Sequence, residues 1–158
     1  MSESLAQVAS YVGALAVYLR NLGAEVPEPV LDRYDSGEIG FELTAELPGS
    51  FDPKPAVVTA QEIWRSAGDG RYERAEYAYD LIDYPANRRR AFHMHDVPEY
   101  LGRLGVTAPE HGEEVLGKPT CDHYLGLPVY TGYDGLNALL ACWSDPGPFG
   151  CAGLRCAR

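Results

Sequence analysis

The chain has 158 residues, 46% of them hydrophobic and 23% charged, and carries a net charge of −10. That length suits one compact domain, and the composition excludes a mainly disordered, collagen-like or membrane-spanning chain. A domain of this size buries roughly 70% of its unfolded surface, so neither a metal nor a disulfide is required to hold it together. Its acidity repels nucleic acid and anionic lipid except at a local basic patch.

Met1-Ser2-Glu3 lacks the basic start of a signal peptide, and no window approaches 18 uninterrupted apolar residues. The expectation is a cytoplasmic protein with no membrane partner. Residues 3–22 predict an amphipathic helix: Leu5, Val8, Val12, Leu15, Tyr18, Leu19 and Leu22 recur at helical spacing, and Gly23 stops it. A Pro- and acid-rich connection, 24–38, leads to a strand at 39–47. There Ile39, Phe41, Leu43, Ala45 and Leu47 alternate with Gly40, Glu42, Thr44 and Glu46, the pattern of an antiparallel sheet with one wet face. After a turn at 48–53, residues 56–65 suit a second strand, Ala67-Gly68-Asp69-Gly70 a turn, 72–83 a third strand and, beyond Pro85-Ala86-Asn87, 88–95 a fourth. Asp96 and Glu99 fit a capping box ahead of a short helix ended by Gly105. Residues 106–130 read as irregular, and Thr131 with Asp134 caps a helix through Trp143.

The whole is a single α+β domain over 1–158. It comprises an N-terminal helix (3–22), a four-stranded antiparallel meander (about 39–95), then His-bearing loops, short helices and a C-terminal helix (96–145), with a tail at 146–158.

Charge and cysteines narrow the search for a site. Residues 63–95 alone carry a positive sum, +1, and within them Arg88, Arg89 and Arg90 stand together with Arg71 and Arg74 nearby. Eleven Arg against two Lys also fits a general bias toward arginine. Cys121, Cys142, Cys151 and Cys156 contain no C-x-x-C pair, so the common zinc-ribbon pattern is missing, and in a cytoplasmic chain they read as thiols.

All four histidines lie in 93–123. On a strand, Arg89, His93 and His95 share one face, and Arg90, Phe92 and Met94 the other. Phe92 and Met94 suit the core, which leaves the first face open. Two chemistries use this set. His93 and His95, joined by His123, His111 or Asp96, form a three-ligand pattern for a divalent metal such as zinc or nickel, with a position left for water. Alternatively, His93, His95 and His123 serve as acid and base in RNA cleavage without metal or other cofactor, while Arg88, Arg89 and Arg90 hold phosphate. The plainer readings are a helix cap for Asp96, a solvated strand start for the arginines and a surface role for His111. Cys121 beside His123 is a further nucleophile pairing.

The stretch YERAEYAYDLIDYPANRRRAFHMHD, with the later PEHGEE and CDHYLG, resembles the small bacterial TumE-type toxins. These present a tyrosine-bearing strand, a turn, an arginine-bearing strand ending in an acid, and later histidines in that order. The likeness spans residues 72–125, about a third of the chain. It implies a compact ribonuclease-like α+β fold, RNA as substrate and an antitoxin-like protein partner, with Arg90, Asp96, His111 and His123 as the matching polar residues. The expectation is therefore a toxin-like protein with metal-independent ribonuclease activity, the catalytic set being His93, His95, His123 and Asp96. The alternatives are a histidine-based metal-binding protein or hydrolase, and a non-catalytic interaction module that uses the acidic surface with Tyr72, Tyr77 and Tyr79.

Overall fold

A computed structural model describes residues 2–49, 54–94, 110–113, 121–124 and 131–144, with 110–113, 121–124 and 142–144 as backbone. The protein is α+β. Strand β1 (Glu3–Ser4) runs into helix α1 (Leu5–Asn21). Strands β2 (Asp32–Arg33), β3 (Ile39–Glu46), β4 (Val57–Gly68), β5 (Arg71–Asp83), β6 (Arg88–His93), β7 (Glu110–Glu113) and β8 (Cys121–Tyr124) follow, then helix α2 (Gly132–Ser144). The strands form one sheet in the order β2-β3-β4-β5-β6-β7-β8, every pair antiparallel, with β1 beside the start of β5.

The expected meander is the centre of this sheet, and the alternating residues that predict it set its faces. Ile39, Phe41, Leu43 and Ala45 of β3 are buried, as are Val58, Ala60 and Trp64 of β4, Tyr79 and Leu81 of β5 and Phe92 of β6. Onto them α1 lays Val8, Val12, Leu15, Ala16 and Leu19, and α2 lays Leu136 and Leu139, all in one hydrophobic cluster. The leucines and Ile39 of this cluster hold the sheet to the helices, each worth about 2–5 kcal/mol against truncation to alanine. The β4–β5 hairpin turns on Asp69 and Gly70, at φ 50° and 69°. Positive φ at both central residues is what a two-residue hairpin of matching twist needs, and Asp-Gly supplies it.

Several boundaries differ from expectation. Helix α1 starts at Leu5, not residue 3, because Ser4 caps it: its side chain accepts from Gln7 N, and Gln7 Oε1 accepts from Ser4 N. The 24–38 connection holds β2, and the 106–130 stretch holds β7 and β8, so the sheet is wider than a four-stranded meander. The added strands are two to four residues long, too short to show a period, and each pairs with a neighbouring strand of the sheet. Met94 is 40% exposed rather than in the core, since β6 ends at His93. The helix expected after Asp96 and the tail at 146–158 lie outside the described residues. No described helix is long and apolar enough to cross a membrane.

Candidate functional site

Strand β6 turns its residues as the alternation requires. Arg90 is 2% exposed beside buried Phe92, while Arg89 and His93 are on the uncovered side. The register places Asp83 opposite Arg88 and Ile82 opposite Arg89. Arg88 Nε therefore donates to Asp83 Oδ2 at 3.1 Å. Arg89 forks onto Asp80: its Nε lies 3.0 and 2.9 Å from the two carboxylate oxygens, and Nη2 also reaches Oδ2. Asp83 is 6% exposed and Arg88 14%, so this pair is largely withdrawn from water. Arg74 turns beneath the helices, and Arg71 turns to Ser2, just ahead of β1. The arginines expected to hold phosphate thus contact acids of their own hairpin or, for Arg90, enter the interior.

The histidines divide. His93 is half-buried on the open face, paired across the strands with Ala78. His95 and Asp96 lie outside the described residues. His111 takes the register position beside Ala91 on β7. His123 is on β8, two strands from His93, a lateral distance of ~9.5 Å at the usual strand spacing. Of the proposed metal ligands, only His93 has a described side chain. Among the described residues no three His, Cys, Asp or Glu side chains are grouped to hold a metal ion.

His93 lines a cleft of about 390 Å³ on the open face, together with Asp32, Tyr34, Glu42, Gln61 and Glu76. Tyr34 can lie flat there because residue 40 is glycine: a Cβ would meet the Tyr34 ring at 3.0 Å and Ile63 Cδ1 at 2.9 Å. Gln61 Nε2 donates to Glu42 Oε2 at 2.5 Å. At the rim, Arg65 joins Glu38 and Glu76 at 2.7 Å each, and its hydrogen bond, helped by Ser36, holds the Glu38 carboxyl below the usual range. Among the described residues, Asp32, Glu42 and Glu76 bring carboxylates to this cleft from the open side, and His93 is the one basic residue lining it. A site so charged attracts cations and opposes phosphate.

The covered face holds a cluster that motif reading missed. Glu62 is 1% exposed. Its Oε1 accepts from Tyr11 Oη and Tyr79 Oη, both at 2.6 Å, and from Arg74 Nη1 at 3.4 Å; its Oε2 accepts from Trp64 Nε1 at 2.9 Å. Arg74 Nη1 also donates to Tyr79 Oη at 2.8 Å, and the Gly132 amide donates to Tyr11 Oη at 2.8 Å. Burial first, then the Glu62 charge, pushes both phenols well above their ordinary value of 10.0, so they remain donors throughout the neutral range. A carboxylate with its lone pairs so fully engaged is a poor general base. Its effect is mechanical: it joins α1 through Tyr11, α2 through Gly132, and strands β4 and β5. The available signal was phase, since Glu62 stands in step with the apolar positions 58, 60 and 64. Tyr77 and Tyr79, suggested above as partner-facing, are 8% and 0% exposed and belong to this interior.

No family model matches the chain, and neither does any curated protein or solved structure.

Proposed function

We propose that this protein is a non-catalytic interaction module whose open sheet face receives a basic segment of a partner protein. The observation that carries this is the cleft beside β6: Asp32, Glu42 and Glu76 line it with Tyr34 and His93, while Arg88 and Arg89 are engaged by Asp83 and Asp80. A partner arginine suits such a wall, because its planar fork matches carboxylates and stacks on an aromatic ring such as Tyr34. The net charge of −10 adds long-range attraction that speeds encounter with a basic protein. The antitoxin-like partner implied by the TumE resemblance would supply that segment. Ribonuclease activity, implied by the same resemblance, needs an arginine and a histidine at one phosphate, whereas Arg89 is held by Asp80.

The test is a titration of isotope-labelled protein, followed by amide and side-chain resonances, with an arginine-rich peptide and, separately, with single-stranded RNA. The peptide should shift resonances of Tyr34, Gln61, Ala78 and His93, and the shifts should weaken with salt. RNA should leave the spectrum unchanged and emerge intact. RNA that shifts the β6 resonances or is cleaved without metal would restore the ribonuclease reading. Cleavage that stops on chelation would favour a metal site built on His93.

A further inference from the structure

The opposite side of the sheet carries a second cavity, of about 500 Å³, where the start of β5 meets β1, α1 and the entry to α2. Its walls include Glu3, Tyr11, Trp64, Glu73, Arg74 and Thr131. Tyr11 and Trp64 meet there as an aromatic corner, with ring centroids 5.9 Å apart and planes at 64°. Their polar ends are committed elsewhere: Tyr11 Oη and Trp64 Nε1 both donate to Glu62. What these two residues offer the cavity is therefore ring carbon. Arg74 turns its charge inward as well, with Nη1 on Glu62 and Tyr79 and the guanidinium 4.8 Å from the Tyr77 ring centroid. Among the described residues the wall carries, besides Arg74 paired with Glu62, the acidic residues Glu3 and Glu73.

Aromatic faces with adjacent carboxylates are the chemistry that recognises an organic ammonium ion: the rings attract the cation through their quadrupoles, and the carboxylates offset its desolvation. We propose that this cavity binds a small organic ammonium, quaternary or methylated, with Tyr11 and Trp64 as walls and Glu3 and Glu73 as counter-charges. The inference is independent of the open-face cleft, which lies across the sheet.

Choline is the probe, and its neutral tert-butyl isostere, in which carbon replaces nitrogen, is the control. Binding is read from the Trp64 indole N–H and the Thr131 amide resonances. Choline should produce saturable shifts and bind about tenfold more tightly than the isostere. Glu73→Gln, at an exposed position outside the Glu62 cluster, should weaken choline severalfold and leave the isostere unaffected. Glu42→Gln, on the open face, should leave choline binding unchanged, which separates this site from the cleft. Equal binding of the two probes, absence of saturable shifts, or indifference to Glu73→Gln would overturn the proposal.

Discussion

The two faces of the sheet answer acidic residues in opposite ways. On the covered face, Glu62 is enclosed by two phenols, an indole and an arginine. On the open face, Glu42 and Glu76 meet Gln61 and Arg65 at the surface. The same alternation delivers both sets, and burial decides what each does. A buried carboxylate must be fully bonded, because the interior supplies no water in its place. An exposed one keeps much of its hydration and can exchange partners, so its contribution to stability is small and its use is recognition.

Substitutions that probe this contrast span a range of effects. Glu62→Gln should have the largest, about 3–5 kcal/mol lost in urea unfolding, because it removes the buried charged acceptor that two phenols, an indole and Arg74 share. Tyr11→Phe removes a hydrogen bond to that carboxylate and the acceptor for Gly132 N, and should cost ~1.5–3 kcal/mol. The same phenols give stability a pH dependence of fixed sign. Their raised values mean that the folded protein holds these protons more tightly than the unfolded chain does. Their contribution is complete below the ordinary phenol value of 10.0 and decays as pH rises beyond it. Urea midpoints measured into the alkaline range should fall, and fall less steeply in Tyr11→Phe.

Two glycines separate by sign. A Cβ at Gly135 would press into the Tyr79 ring, whereas at Gly13 it meets nothing within 4 Å. Gly135→Ala should cost about 1–3 kcal/mol through overpacking. Gly13→Ala, in the middle of α1, should stabilise by about 0.5–1 kcal/mol. The smallest effect belongs to the open face: Glu42→Gln should change unfolding by less than about 0.5 kcal/mol. A large loss there would dissolve the contrast between the faces.

What the sequence disclosed follows the same division. The four central strands, α1 and α2 are legible because burial imposes a period on apolar residues, and Asp69-Gly70 marks its turn by the backbone it must adopt. The orientation of β6, with Arg90 and Phe92 inward, follows from that period too. Strands β7 and β8 show no period, since each is only four residues long and is paired to a neighbouring strand. The engagement of Arg88 and Arg89 depends on hairpin register. Closing the chain over 84–87 sets Asp83 against Arg88, a step that a reading of residue types alone does not take. Glu62 was visible only as a charged residue in an apolar phase, and His95 and Asp96 lie outside the described residues.

The central claim is that a particular acidic face, and not total charge, selects a basic partner. Calorimetric affinity for an arginine-rich peptide, compared between Glu42→Lys on the open face and Glu3→Lys near the covered one, tests it most directly, because both variants change net charge equally. The account predicts that Glu42→Lys weakens binding about tenfold or more, since a like charge now faces the ligand, while Glu3→Lys leaves it nearly unchanged and both variants unfold like the parent. Equal losses in the two variants would show that the peptide follows overall charge alone and would contradict a recognition site at the cleft.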